Sequence, residues 1–391
     1  MKEIANGIRY IGVDDLDLDL FESQYIVPEG MSYNSYVILD SKVTVMDTAD
    51  ARKTAEWMAN LETALGASKP DYLVLHHVEP DHSGSVGAFM EKYPETTIVT
   101  TSMGLKFLGQ FLPGTHFQSL TVKEGDTLAL GKHTLRFLTA PMVHWPEVMF
   151  SLEESTGTLF SADAFGKFGA LSKCGFWGTE DDDWACEARR YYFNICGKYG
   201  PQVASALKKA GMPKIIAPLH GPILNQGLEE YIGLYQTWSS YGVETPGVFI
   251  AYASIHGNTA AVAQELAQIL KAKGCPKVAM NDLTRDDQAE GVEDAFRYGK
   301  MVVAAASYDA GLFTPASDFL HKLQAKGYQN RKVALIENGT WAPSAGRVMK
   351  EMFAAMKNVE VVGNLVTIRS KMTPQDRPAL EELADAILKA E

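Results

Sequence analysis

LVLHHVEPDHSGS, residues 73–85, decides how the first half of the chain is read. The apolar run Leu73-Val74-Leu75 reads as a strand, and it breaks directly into His77, Glu79, Asp81 and His82, spaced H-x-E-x-D-H. A strand that ends in a turn can aim several ligating side chains into one pocket. Successive strand side chains face opposite ways, so His76 and His77 do not easily share that pocket. His77 completes the spacing and is the one assigned. Working outward, His144 follows TLRFLTAPMV, Asp163 follows TLFSA, and His220 follows KIIAPL. Each stands where an apolar run ends, and strand ends on one edge of a sheet converge in space. Four histidines and three carboxylates then make two metal positions with a carboxylate left to bridge them. A lone His or Asp at a strand end is more often a cap or a bonded core residue, but seven at such places favour a metal centre. His116, His133 and His321 lack that setting and read as exposed or locally bonded.

Three hard carboxylate donors beside four imidazoles favour iron over zinc, although di-manganese and di-zinc fit the same donors. A bridging Asp163 suits a pair of ions that changes between ferrous and ferric. Cys174, Cys186, Cys196 and Cys275 contain no C-x-x-C pair, so no rubredoxin-type iron site or zinc ribbon can be built from them. They are expected to be free, buried thiols.

Short β-rich runs such as SYVILD, VTVMD and TIVTT, with helical stretches at 51–66 and 183–210, make the first part an α/β domain of sheet layers with helices outside. Val243-Glu-Thr-Pro-Gly247 punctuates the chain, and the rhythm then becomes strand-then-helix. The expected domains are 1–246 and 247–391. Runs at 248, 277, 301, 332 and 361 predict a doubly wound, five-stranded parallel sheet with its ligand at the strand C-termini. After the first of them, Ser254-Ile255-His256-Gly257-Asn258-Thr259 leads into a helix. Its hydroxyls, amide and helix N-terminal N–H groups form an anion cradle suited to one phosphate. Neither GxGxxG nor GxxxxGK[ST] is present, which argues against a dinucleotide or P-loop nucleotide. Ser307-Tyr308-Asp309-Ala310-Gly311 and Asn338-Gly339-Thr340-Trp341 flank the same crevice. Trp341 is the candidate for stacking on a flat ring, with Tyr308 the weaker one.

The 391 residues suit two domains, and 46% hydrophobic with 21% charged residues is ordinary globular composition. A net charge of -12 disfavours nucleic acid or an anionic membrane as partner. The N-terminus has no basic-then-apolar leader pattern and no window is apolar enough to span a bilayer, so a cytoplasmic protein is expected.

The metal pattern resembles zinc hydrolases of the metallo-β-lactamase type, which have His where this chain has Glu79. Taken with the second half, with GMSYNSYVI near the start and with His144-Trp-Pro146, the chain resembles the flavodiiron proteins over nearly its whole length. The resemblance implies a metallo-β-lactamase-like αββα sandwich followed by a flavodoxin-like domain. It implies one iron on His77, Glu79 and His144, another on Asp81, His82 and His220, with Asp163 bridging. FMN would lie on the loops beginning at Ser254, Ser307 and Asn338. The implied activity is reduction of O2 to water, with NO reduction to nitrous oxide as a second possibility. Two ferrous ions and a reduced FMN hold the four electrons that O2 requires. Rubredoxin or another small electron donor, and a head-to-tail homodimer or dimer of dimers, are implied as partners. The chain departs from the family in reading Ser-Tyr-Asp where Ser-Pro-Thr is common. Its N-terminal loop, FESQYIVPEG, also lacks the extra His of some members, and Tyr25 is the candidate pocket lining there.

Overall fold

The computed structural model describes residues 2–391, which form two compact units that divide between Gln236 and Thr237. The first unit is a sandwich of two sheets. One runs in the order 3–5, 8–10, 36–38, 44–46, 72–74, 97–100, 119–121, antiparallel as far as 44–46 and parallel from there. The other takes 127–129, 134–139, 149–153, 158–160 and 215–217, with only the last pair parallel. Ile38, Met46, Val74 and Val99 of the first sheet share one buried cluster with Leu135, Phe137, Met149 and Phe160 of the second. Each such side chain contributes about 1.5–3 kcal/mol by leaving water, which fixes which face of every strand points inward. Helices Thr54–Leu65, Ser102–Phe111, Trp184–Ile195 and Gly200–Ala210 complete the αββα arrangement.

Helix is interrupted within 183–210, because Gly197, Gly200 and Pro201 produce a short 3-10 turn at Gly197–Tyr199 and restart the helix with proline in its first turn. Met149–Glu153, which the sequence reading passes over, is a strand at the middle of the second sheet.

The second unit has parallel strand order 278–282, 245–253, 298–308, 331–338, then the last pair 359–361 and 366–368. VVGNLVTI is thus one strand position in two pieces, parted at Gly363, whose φ of 71° only glycine adopts freely. Helices leave strand 245–253 in one direction and return to 298–308 on its other side, which opens a crevice between their C-terminal ends. Residues 237–244 belong with this unit because Arg331 holds them. Its buried guanidinium donates to the carbonyls of Tyr241 at 2.7 Å and Gly242 at 3.0 Å. The unit boundary therefore precedes 246/247, where the strand rhythm changes. Among the described residues no helix is long and apolar enough to cross a membrane.

Candidate metal centre and flavin crevice

Strand 72–74 of the first sheet and strands 134–139, 158–160 and 215–217 of the second end at the same edge of the sandwich, and their following turns carry the seven candidate residues. Two sheets supply the site, rather than one sheet edge as the sequence suggests. His77 and Glu79 lie on the turn, and Asp81 and His82 fall in the short helix Pro80–Ser83.

The side-chain tips make two groups. His77 Nε2 and His144 Nε2 are each 3.1 Å from Glu79 Oε2, and 3.7 and 3.2 Å from Asp163 Oδ2. His82 Nε2 and His220 Nε2 are each 3.2 Å from Asp81 Oδ2, and 3.1 and 3.8 Å from the other oxygen of Asp163, Oδ1. In each of His77/Glu79/His144/Asp163 and Asp81/His82/His220, the ligand atoms lie within 4.8 Å of one another. Asp163 therefore turns one oxygen to each group. His82 Nε2, His220 Nε2 and Asp163 Oδ1 are all buried and make no hydrogen bond. Leaving such atoms unmatched costs about 1–3 kcal/mol each, and a cation between them removes the penalty.

Electrostatics agree. Burial opposes charge at His144, but bonding to Asp163 and Glu79 outweighs it and pushes the imidazole up to about 9. Burial likewise would raise Glu79, yet His144 and His77 pull it down to about 2. The surrounding carboxylates thus draw His77, His82 and His144 toward their protonated forms. Metal ions must displace those protons, so loading is pH-dependent.

Neighbouring segments aim the ligands. His220 Nδ1 donates to the Ser32 carbonyl at 2.7 Å, Ser32 Oγ accepts from the Gly221 amide at 2.8 Å, and Asn34 Nδ2 donates to the carbonyls of Pro218 and Gly221. The GMSYNSYVI stretch is thus a clamp on the His220 turn. His76 stays outside the centre, between Asp47 Oδ2 at 2.5 Å and Ser151 Oγ at 2.7 Å. His133 bonds Asp40 and the Asn6 carbonyl, His321 bonds the Ser317 carbonyl, and His116 is exposed. Asp47, Met142, Ala162 and Phe165 all have positive φ. Such non-glycine strain costs about 1–3 kcal/mol per residue and clusters at functional turns.

Tyr25 directs its hydroxyl to the Asn194 carbonyl at 3.1 Å, and its ring packs on Phe168. In the same N-terminal loop Phe21 lies edge-on to His220 at 5.4 Å. Two groups beside the cluster escape the sequence reading. Glu147 Oε1 lies 2.6 Å from His77 Nδ1, and its place three residues after His144 is the only sequence hint. Tyr191 packs 5.7 Å from His220 with its hydroxyl buried and unpartnered; nothing in the helix pattern separates it from a core tyrosine.

In the second unit a cavity of about 470 Å³ opens at the expected crevice, within the range of cofactor sites. Ser254, Ile255, His256, Asn258, Thr259, Ser307, Tyr308, Asp309, Ala310, Asn338, Gly339, Thr340 and Trp341 line it, and Ala306, Ala342, Ser344 and Ser370 join them. Gly257 and Gly311 do not line it. Gly257, at φ 86°, turns the chain into helix Asn258–Ala272. Gly311 closes a two-residue turn on Tyr308, with Asp309 and Ala310 both at positive φ. Side-chain roles divide sharply. Ser307 Oγ accepts from the amides of Ser344 and Ala345, and Asn338 exchanges two bonds with the backbone of Ser370. Ser254 Oγ is buried with no partner, which fits an anion at the adjoining helix N-terminus. Trp341 is 88% exposed, unusual for an indole unless a flat ring covers it. Trp341→Ala should leave the fold intact and weaken flavin binding by about 10-fold, the worth of one stacking contact, as read by flavin fluorescence titration.

The family described as "ODP family beta lactamase" matches residues 31–221. The chain is 30% identical to coenzyme F420H(2) oxidase of Methanothermobacter marburgensis, over 90% of each chain. It is 27% identical to the anaerobic nitric oxide reductase flavorubredoxin of Vibrio vulnificus, over 86% of this chain and 70% of that one. The solved rubredoxin oxygen:oxidoreductase of Desulfovibrio gigas superposes with a TM-score of 0.91 at 26% identity, covering 99% of this chain and 97% of that one. The chain belongs to the flavodiiron protein family. As a flavodiiron protein it is an oxidoreductase whose cofactors are FMN and a non-haem diiron centre. Its two units accordingly have the metallo-β-lactamase-like and flavodoxin-like folds.

Proposed function

We propose that this flavodiiron protein reduces O2 to water, and NO to nitrous oxide as a second activity, with electrons entering at FMN in the second unit and used at a diiron site in the first. The observation that carries this reading is Asp163, whose two oxygens face two separate ligand groups. His77, Glu79 and His144 would hold one iron, Asp81, His82 and His220 the other. Bound irons supply gas binding and one-electron reduction, and FMN supplies storage of two further electrons.

The chain's own groups do the rest. Bonds at Nδ1 of His77 and His220 fix each ring with Nε2 toward the centre. Phe21, Tyr33 and Tyr191 wall the His220 side against water. Burial, then the charge of Asp163, raises the Tyr191 phenol well above its ordinary range, so the buried, unpartnered hydroxyl keeps its proton and offers a hydrogen bond beside His220. Tyr191→Phe should retain iron and FMN while turnover falls about 10²-fold, the usual scale for losing one hydrogen-bond donor at a reacting centre; unchanged turnover would remove Tyr191 from the mechanism. At the other site Ser254, Asn258 and Thr259 would hold the FMN phosphate and Trp341 would stack on its ring.

Rubredoxin or another small carrier is proposed as donor, with a head-to-tail homodimer as the working assembly. A cytoplasmic setting fits the free thiols of Cys174 and Cys275; Cys174 and Cys196 are buried, whereas Cys186 and Cys275 are part-exposed. The test is anaerobic reduction of purified protein, assay of iron and FMN per chain, then O2 and NO electrodes. Two irons, one FMN and uptake of either gas support the proposal, and the ratio of rates ranks the substrates. Zinc with no gas uptake sinks it in favour of a hydrolase.

A further inference from the structure

The ring nitrogens that face away from the metal positions have unlike partners. His77 Nδ1 lies 2.6 Å from Glu147 Oε1, both side chains being wholly buried. The same oxygen accepts from the Val78 amide at 3.2 Å, and the Glu147 carbonyl accepts from Thr101 Oγ1 at 3.0 Å. Side chain and backbone of Glu147 are therefore both pinned. Its second oxygen, Oε2, is buried and has no partner, so no donor there draws its charge away from His77. On the other side of the centre the arrangement is neutral. His220 Nδ1 donates to the Ser32 carbonyl, and His82 Nδ1 is buried with nothing to bond.

We infer that Glu147 is a positioning residue that makes the two halves of the centre electronically unequal, by pulling on the Nδ1 proton of His77 and enriching the metal ion held by His77, Glu79 and His144. The inference rests on the flavodiiron reading of the site. Each position has one carboxylate of its own, Glu79 or Asp81, and half of Asp163. Glu147 adds a further negative charge behind only one of them. A carboxylate accepting from a ligand imidazole raises its basicity, and burial leaves that charge poorly screened. Extra negative charge favours the higher oxidation state. The ion on His77 is therefore the lower-potential member, oxidised first, and the ion on His82 and His220 stays ferrous longer.

The test uses full-length holoprotein loaded with 57Fe, as wild type, Glu147→Gln and Glu147→Asp. Mössbauer spectra of the reduced state and an EPR-monitored redox titration are recorded, with iron retention against a chelator. Wild type should show two distinct ferrous sites and two one-electron steps. Glu147→Gln should move one site, raise the lower couple toward the other, and weaken retention of one iron about 10- to 100-fold, the usual cost of losing such a partner. Glu147→Asp, which keeps the charge, should recover most of the separation. Unmoved couples in Glu147→Gln, or equal shifts in both variants, overturn the inference. Should Glu147→Gln fail to fold, wild type and Glu147→Asp decide: a single two-electron step with identical sites in wild type refutes it, and two steps with Glu147→Asp close to wild type support it. If wild type holds no pair of irons, the flavodiiron reading itself fails, which is distinguishable from all of these.

Discussion

Asp163→Ala is expected to give a folded chain that retains FMN but has lost both irons and all gas uptake. Most ligand changes would weaken one position first. Asp163 is different because Oδ1 faces His82 and His220 while Oδ2 faces His77 and His144. Removing it strips a charge from both positions at once and brings four imidazoles together without their central counter-charge. Breaking a buried charged contact costs about 3–5 kcal/mol, or roughly 10²- to 10⁴-fold in affinity at each position. The fold survives because the two sheets are held by the apolar cluster between them, and flavin survives because its cavity is built wholly from residues 254–370. Metal analysis and flavin absorbance on one sample check all three parts. Retention of two irons would show that Asp163 does not bridge.

The mirror-image result is expected from Ser254→Asp, which should lose FMN and keep iron. Ser254 Oγ is buried without a partner beside the N-terminus of helix Asn258–Ala272. A carboxylate there would face the phosphate proposed to sit at that helix end. Two like charges about 4 Å apart at an effective dielectric near 20 repel by about 4 kcal/mol, close to a 10³-fold loss of affinity. A Ser254→Asp protein purified with full FMN would place the phosphate elsewhere. Together the two variants separate electron entry from gas reduction. An equal mixture that regains no activity when donor is supplied is expected if each flavin serves irons of its own chain, whereas recovery in mixed dimers supports the head-to-tail assembly.

Local sequence was enough for much of this. Glu79, Asp81 and His82 fall within a few residues of His77, so chain geometry alone brings them close, and strand alternation separates His76 from His77 before any contact is known. The strand-then-helix rhythm after 247 places the crevice, because parallel strands with crossing helices open only at their C-terminal ends. Those conclusions depend on interactions a few residues long, and the sequence states them directly.

What the sequence could not supply is which distant residue meets which. His220 finds Ser32, His77 finds Glu147, and Thr340 finds Ser370, none of them marked by periodicity. The hydrophobic pattern tells each strand which face to bury but not which sheet will bury it. That is why the ligands looked like one sheet's edge, whereas they come from two. Partners that tune the centre are chosen by sheet pairing and packing across the sandwich, so they exist only once the tertiary structure has formed.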